Sequence, residues 1–566
     1  MSADMFITLF GGLGLFIYGM NMMSDGLKTI AGGRMKRLLE ILTNNRIMGV
    51  LVGSIVTMLV QSSSTTTVMV VGFVNAGIMN LLQATGVIMG ANIGTTITAQ
   101  MIALKVTRLA PIAIAIGAAM FLFAKKKKNK QIGTIILGFG ILFTGIDFMS
   151  GAMEPLRDHE GFKNLLISFS RNPVLGVIAG FTLTAVIQSS SASIGLLQAL
   201  AISGAFSNVP GVSPFALTIP ILLGENIGTC VTAMISSISA SIVAKRAALI
   251  HFLIKVIGTA WVLIVLGIVN MIFVDTNPVY NLIANISGTT LIGGQVVPDV
   301  ARQIANTHTI FNVLNTLVQL PLAAILVRLA EKILPGEEKE DLGGLKFLDD
   351  RIMENPAIAV GQAMKETVRM AKFSLENVNT AMSAFFNKDE KLIEQVMERE
   401  KGINQLERGI TKYLVKLSNS NLLEKDYIRT TNLYHTTNDV ERIGDHAENL
   451  AELAQFVIDN RLLFSDIAIN ELKDMISRVD SVVSDSITSL ENDDIELAKT
   501  IYSQEEEIDQ LEEDLRDRHI ERLNKQLCHP SSGVIFLDIV SNLERIADHA
   551  TNISKTVMDL ENKNIK

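Results

Sequence analysis

Apolar residues come in nine stretches over the first 331 positions, at about 5–24, 47–80, 82–104, 109–124, 131–150, 173–206, 214–238, 246–274 and 303–330. Several reach the ~20 residues that a helix needs to cross a bilayer. Two differ. Residues 47–80 and 173–206 are interrupted midway by polar knots, Gln61-Ser62-Ser63-Ser64-Thr65-Thr66-Thr67 and Gln188-Ser189-Ser190-Ser191-Ala192-Ser193. The arms beside each knot, roughly 14 residues long, are too short to cross alone. Each stretch therefore predicts a re-entrant helical hairpin with the knot at its tip, or a broken helix. Irregular backbone at membrane depth is tolerated only where it lines a protein cavity. From Pro356 the pattern turns amphipathic, with Met364, Val368, Ala371, Leu375 and Val378 at three- and four-residue spacing. Only Pro356 and Pro530 interrupt 351–566, which predicts long helices there.

The knots belong to an internal repeat. Gly12-Leu13-Gly14-Leu15-Phe16-Ile17-Tyr18-Gly19 returns as Gly138-Phe139-Gly140-Ile141-Leu142-Phe143-Thr144-Gly145, and Met23-Ser24 as Met149-Ser150. Gly53, Thr57 and Gln61 return as Gly180, Thr184 and Gln188. Gly90-Ala91-Asn92-Ile93-Gly94-Thr95-Thr96 returns as Gly224-Glu225-Asn226-Ile227-Gly228-Thr229-Cys230. The order is kept throughout. With the knots re-entrant, repeat one (about 5–126) has three spans: 5–24, 82–104 and 109–124. An odd number starts repeat two (about 131–260) on the other side, so the copies are inverted. Its spans are 131–150, 214–238 and 246–274, and 303–330 adds a final one.

Composition sharpens the division. Residues 1–331 hold 20 Lys and Arg against 11 Asp and Glu, a net of +9, while the remainder holds 29 against 46, a net of −17. Lipid is the expected solvent of the first part and water of the second. An acidic soluble part speaks against nucleic-acid binding, and two distant cysteines, Cys230 and Cys528, exclude a disulfide scaffold. The N-terminus carries Asp4 and no basic run, so its first apolar stretch is expected to stay as a span. The loop Lys125 to Lys130 and the acidic tail fall on one side, which the positive-inside rule makes cytoplasmic. Arg34, Lys36, Arg37, Lys245, Arg246 and Arg328 fall there too; Lys105 and Arg108 do not. The expected domains are 1–331 in the membrane, a linker at 332–350, and a cytoplasmic domain at 351–566. The fold class is all-α: a polytopic membrane domain of two inverted repeats with re-entrant hairpins, plus a soluble helical-bundle domain.

Inverted repeats with interrupted apolar segments are the build of secondary transporters, with the substrate site between the repeats. Hydroxyl and amide oxygens coordinate a hard cation such as Na⁺. Their O–H and N–H groups, with backbone N–H groups at helix N-termini, hold an anion. The competing explanation is packing, since Ser, Thr and Gly are common at membrane helix interfaces. Duplication in register favours a site. Glu225 and Asp147 are intramembrane acids on this map, and neither is duplicated: their counterparts in the other repeat are Ala91 and Asn21. Glu225 is either an ion-pathway acid or a rim residue. Lys255 and His251 are expected to snorkel or pair near a helix end.

The soluble part repeats as well. Glu441-Arg442-Ile443-Gly444-Asp445-His446 returns as Glu544-Arg545-Ile546-Ala547-Asp548-His549, and Glu400 to Glu407 parallels Glu505 to Glu512. The units, about 356–460 and 466–560, each fit a three-helix bundle. Glu-x-x-x-Asp puts two carboxylates on one helix face, which costs stability unless a cation compensates. A bound metal would do so, and so would Arg442 and Arg545 as ordinary ion pairs. His446 and His549 point about 100° away from the acids and read as packing residues.

The paired Gln-Ser-Ser-Ser motifs, with Met89 to Thr96 and Leu223 to Cys230, resemble the type II sodium–phosphate cotransporter family over about residues 5–330. By that resemblance Gln61, Ser62, Ser63, Ser64, Thr65, Gln188, Ser189, Ser190 and Ser191 form the phosphate and Na⁺ sites, and Asn92, Thr95, Asn226 and Thr229 line them. Cys230 in place of Thr96 is a departure. The tandem pattern over about 356–560 resembles the phosphate-uptake regulator PhoU, whose bundles bind metal clusters. This implies Glu441, Asp445, Glu505, Asp509, Glu544 and Asp548 as ligands of a divalent or iron/zinc cluster. Asn404 stands where Asp509 does in the other unit. The expected function is secondary active symport of Na⁺ and inorganic phosphate by alternating access, with a cytoplasmic regulatory domain, and no enzymatic activity. Expected partners are phosphate, Na⁺, the lipid bilayer and, as a candidate, a second copy in a homodimer. A phosphate or other oxyanion exporter and a membrane-anchored phosphate-signalling regulator are the alternatives.

Overall fold

The computed structural model describes residues 3–40, 46–206, 213–273, 277–292, 294–336, 343–420, 422 and 424–564. Linker residues 337–342 and the side chains of Arg34, Lys36 and Arg37 lie outside that set. The chain divides into two compact units, Met1–Glu338 and Lys339–Lys566.

The first unit is helical, running α1 (Ala3–Glu40), α2 (Arg46–Val60), α3 (Ser63–Asn75), α4 (Leu81–Gly94), α5 (Thr96–Ala103), α6 (Ala110–Phe123), α7 (Lys127–Met153), α8 (Glu160–Arg171), α9 (Pro173–Ile187), α10 (Ser190–Ile202), α11 (Pro214–Gly228), α12 (Cys230–Ser236), α13 (Ile242–Ile272) and α14 (Pro278–Ser287). A small antiparallel hairpin, β1 (Thr289–Ile292) with β2 (Gln295–Pro298), precedes α15 (Val300–Gln319) and α16 (Ala323–Ile333). Five helical segments among the described residues are long and apolar enough to cross a membrane, or up to seven if two bent pairs count as one each. The final stretch, expected as one span, is bent by 82° between α15 and α16. Pro321 sits in the break, where it removes a helical N–H and clashes with the preceding turn.

Both interrupted stretches are broken at the knots. α2 ends on Gln61 and α9 on Gln188, each left-handed, with φ of 54° and 57°. Ser62 and Ser189 then cap the next helices, their side chains accepting from the N–H of Thr65 at 3.1 Å and of Ala192 at 3.2 Å. Thr57 donates to Thr66 at 3.1 Å across the first break. Nine residues of straight helix would hold these two roughly 13 Å apart, so α3 folds back on α2 as a hairpin.

The repeats pack alike. A Cβ on Gly53 would strike the Val87 carbonyl and one on Gly90 the Val50 carbonyl. In repeat two a Cβ on Gly180 would strike the Ile221 carbonyl and one on Gly224 the Val177 carbonyl. α2 with α4, and α9 with α11, therefore touch backbone to backbone at equivalent positions. α1 and its copy α7 pack on each other in reverse order. Gly12 meets Gly145, and Gly19 meets Gly138. Equivalent helices thus run antiparallel about a local two-fold, the inversion that the span count predicts.

The second unit begins with a strap, residues 343–354, that covers α17 (Pro356–Asn387). Buried Glu366 accepts from the N–H of Lys346 at 3.0 Å and of Phe347 at 2.5 Å, and Arg369 pairs with Glu366 and the Gly344 carbonyl. Then come α18 (Glu390–Ser418), α19 (Glu424–Asp459), α20 (Asp466–Asn492), α21 (Ile495–Asn524) and α22 (Pro530–Asn564), two three-helix groups in tandem. The predicted stripe of α17 faces the core, with Val368, Ala371 and Val378 buried.

Gly180→Ala should lower the stability of the purified protein by about 1–3 kcal/mol, the cost of forcing a methyl into packed backbone. Gly267→Ala, with no atom within 4 Å of its Cβ position, should be neutral or stabilising. Thermal unfolding of the two variants beside the parent checks this; equal midpoints would refute the backbone contact.

Candidate functional site

The two knots meet. Gln61, Ser62, Ser63, Ser64 and Thr65 line one cavity of about 270 Å³ together with Gln188, Ser189, Ser190 and Ser191. The residues that follow the two glutamines form the N-caps and first turns of α3 and α10, whose leading N–H groups have no partner within their own helix. Two helix N-termini thus converge on one space, an environment that favours an anion. The Ser63 hydroxyl is buried there without a hydrogen-bond partner.

The two tips are unequal. Gln61 is buried, accepts from the Thr98 hydroxyl of α5 at 2.9 Å and donates to the Met58 carbonyl at 2.5 Å. Gln188 is exposed; its backbone N–H donates to the Thr184 carbonyl at 2.7 Å, but its side-chain amide makes no hydrogen bond among the described residues. The third wall is also one-sided. Asn21, Ser24, Asp25 and Lys28 of α1 line the cavity, and the Ser24 hydroxyl donates to the Val60 carbonyl at 2.6 Å. Sequence reasoning missed this wall. Its signal was a polar stripe at 21, 24, 25 and 28, helical spacing on an otherwise apolar helix.

Asn92, Thr95, Asn226 and Thr229 do not line this cavity. Their motifs form the breaks α4–α5 and α11–α12, which pack behind the hairpins, and all four side chains are buried. Thr95 and Thr229 are the residues between the paired helices. Glu225 is wholly buried and neither carboxylate oxygen has a partner, so it is no rim residue. Asp147 is exposed. Lys255 does not snorkel: it is 1% exposed and bonds to Asn226 and Asn312.

In the second unit the predicted acids fall into two groups. Glu505, Asp509 and Asp548 bring one oxygen each within 4.8 Å of the others. Burial and then the neighbouring Asp509 push the Glu505 carboxyl up to about 7, and burial with Asp548 and Asp509 does the same for Glu544. Asp509, Glu544 and Asp548 also line an open groove of about 860 Å³ with Arg442, His446 and His549. Glu441 and Asp445 face Glu400 of α18, the repeat counterpart of Glu505 and a residue absent from the predicted set. Glu400 is 2% exposed and both its oxygens lack partners. Burial, then Asp445, Glu448 and Glu441, pushes its carboxyl up to about 8. Here Arg442 reaches Asp445 at 3.1 Å, whereas Arg545 makes no ion pair among the described residues. The neutralising arginine therefore reaches its aspartate directly in the first unit, while in the second Arg545 acts on Glu544 without forming an ion pair. His446 and His549 lie with ring centroids 5.8 Å apart, and their Nδ1 atoms meet Asn542 Oδ1 and Asp439 Oδ1.

Residues 15–151 and 154–294 match the profile described as Na⁺/Pi-cotransporter, and residues 367–454 and 472–557 match the PhoU domain. A Bacillus subtilis protein, YqeW, described as uncharacterized, is 31% identical over 57% of this chain and 96% of its own length. The chain belongs to the Na⁺/Pi-cotransporter family. It is a multi-pass membrane protein of that family with a PhoU domain behind the membrane part. The Escherichia coli "Putative inorganic phosphate export protein YjbB" is 22% identical over 98% of this chain and 97% of its own length, so it shares the whole architecture. The Thermotoga maritima "Phosphate-specific transport system accessory protein PhoU homolog 1" is 30% identical over 34% of this chain and 82% of its own length.

In chelator, Glu400→Gln should lessen the loss of stability at rising pH. A carboxyl whose folded pKa lies above its unfolded value of ~4.3 favours the fold while protonated. That contribution is full below the unfolded value and is lost as pH rises through about 8. Melting midpoints at roughly pH 5 and pH 9 should therefore converge by several degrees in the variant; an unchanged gap would refute the role given to Glu400.

Proposed function

We propose that this protein couples the movement of inorganic phosphate across the membrane to Na⁺, as a secondary transporter working by alternating access. The observation that carries this reading is the cavity in which the N-terminal turns of α3 and α10 converge. A phosphate held there would receive backbone N–H groups and hydroxyls from Ser62, Ser63, Ser189 and Ser190. Two helix dipoles contribute positive potential without a buried cation having to come from the hairpins. Na⁺ would be held by oxygens alone, for which the Gln61 and Gln188 amides and nearby hydroxyls are suited. The inequality of the tips fits one state of such a cycle. Gln61 is tied to its own repeat through Thr98 and Gln188 is released, and under the local two-fold the opposite state would exchange those roles.

Export is the second reading, favoured by the full-length relative named for phosphate export. Both directions use the same site. The PhoU domain, on the cytoplasmic side by the charge of the loops, would adjust transport. A metal would fit best at Glu505, Asp509 and Asp548, with Glu544 beside them. Glu400, Glu441 and Asp445 would form the weaker counterpart, because Arg442 already neutralises Asp445 and Asn404 removes a carboxylate. The metal's part would be to neutralise acids that repel one another and so stiffen the bundle.

Labelled phosphate flux in proteoliposomes tests the membrane reading, with Na⁺ and then K⁺ gradients imposed in each direction. Flux should follow the Na⁺ gradient and fall by tenfold or more in Gln61→Ala and Gln188→Ala, a loss of roughly 1.4 kcal/mol or above. Equal flux in K⁺ sinks the sodium coupling, and full activity of both variants sinks the site.

Metal analysis tests the second domain. Asp509→Asn with Asp548→Asn should lose bound metal and the melting shift that chelator causes in the parent. Unchanged metal content would assign the acids to ion pairing instead.

A further inference from the structure

α13 and α15 carry a likeness of their own. His251-Phe252-Leu253-Ile254-Lys255-Val256-Ile257-Gly258-Thr259 lines up with His308-Thr309-Ile310-Phe311-Asn312-Val313-Leu314-Asn315-Thr316. His, Val and Thr coincide, and Lys255 stands where the other segment has Asn312. The structure brings these two positions together at the motif of repeat two. The Lys255 ammonium donates to Asn226 Oδ1 at 2.9 Å and to Asn312 Oδ1 at 3.2 Å. Each asparagine spends its own N–H on the helical turn before it, Asn226 on the Leu222 carbonyl at 3.1 Å and Asn312 on the His308 carbonyl at 2.8 Å. Both amide oxygens are therefore turned to one point and fixed there.

That point is a cation site by its chemistry. Two side-chain carbonyl oxygens are the donors a hard monovalent ion accepts, and here a lysine nitrogen fills the place. The ammonium has no carboxylate partner: Lys255 is in none of the ion pairs of the described residues. The titratable groups nearest to it are the imidazoles of His251 on its own helix and His308 on α15, and the thiol of Cys230 on α12. Glu225 neighbours Asn226 in sequence, but its carboxylate bonds to nothing. Burying an ammonium on neutral dipoles alone is costly, so packing is a poor reason for it. In repeat one the corresponding Asn92 carries no lysine, and its Nδ2 makes no bond to the preceding turn, so its amide is not fixed as that of Asn226 is.

We propose that Lys255 is a tethered substitute for a coupling ion, its ammonium occupying a Na⁺ site of repeat two built from Asn226 and Asn312. The carrier then moves one Na⁺ fewer per phosphate than it would with that site open to a mobile ion. The stoichiometric part rests on the sodium-coupled reading above; the occupancy of the cradle by Lys255 does not.

The test uses the full chain with Lys255→Asn, Lys255→Met and Lys255→Arg. Melting midpoints are measured against NaCl, with choline chloride keeping ionic strength constant and phosphate absent. The neutral variants should gain a Na⁺-specific stabilisation of several degrees beyond any the parent shows, and Lys255→Arg should behave as the parent. In proteoliposomes the ratio of labelled Na⁺ to labelled phosphate moved should rise by one in the neutral variants. Asn and Met differ in shape and polarity, so one folded variant suffices for the test. A folded neutral variant with the parent's Na⁺ response overturns the proposal, as does a new Na⁺ response in Lys255→Arg. If the parent's phosphate flux ignores Na⁺, the coupling reading falls, while the stabilisation measurement still decides the cradle.

Discussion

A chain break inside an apolar interior leaves backbone groups that only protein or enclosed water can satisfy. The membrane part is organised around two such breaks, at Gln61-Ser62 and Gln188-Ser189. At each, a left-handed glutamine ends one helix and a serine side chain caps the next. A non-glycine residue held at positive φ costs energy unless its surroundings over-determine it. Here they do. Gly53 and Gly90, and Gly180 and Gly224, lock each hairpin arm onto its neighbour backbone to backbone. Small residues supply the packing that apolar burial cannot drive in lipid. What remains uncommitted is the set of leading N–H groups of α3 and α10 other than those of Thr65 and Ala192, and these are what the cavity offers to an anion.

The duplicated architecture departs from symmetry at a few side chains. Thr98 holds the Gln61 side chain, but among the described residues nothing holds that of Gln188; α1 gives the cavity a polar wall that α7 does not match. Lys255 adds a charge to the motif of repeat two where the motif of repeat one has none. Two identical repeats would bind two sets of ions and have no preferred direction built into their chemistry. Each of these differences is a place where such a preference can be encoded.

The second unit applies a different constraint to the same duplicated logic. Water screens its surface charges, so most of the net negative charge is solvated helix face. Where helices pack, burial and then neighbouring carboxylates raise the pKa values, as at Glu400, Glu441 and Glu448 in one group and at Glu505, Asp509 and Glu544 in the other. The two groups diverge because Arg442 forms an ion pair with Asp445, while Arg545 forms none among the described residues and acts on Glu544 only at longer range.

Periodicity and self-similarity settled much from the residues alone. Solvent partition follows from apolar run length, and the hairpin breaks follow from polar knots that no lipid-facing helix tolerates. The two duplications are visible as repeated words, and an odd number of spans between copies already required inversion. The α1 wall was equally present as a polar stripe at 21, 24, 25 and 28. Tertiary structure decided what periodicity cannot encode, namely which distant surfaces meet. It placed both knots in one cavity and the Asn92 and Asn226 motifs behind it, and it bent the final stretch at Pro321. It also buried Lys255 against Asn226 and Asn312, 29 and 57 residues away, and Glu400 against Glu441 and Asp445. Such meetings depend on the crossing of helices set by glycine contacts, and a side chain's partner across a helix interface leaves no period in its own sequence.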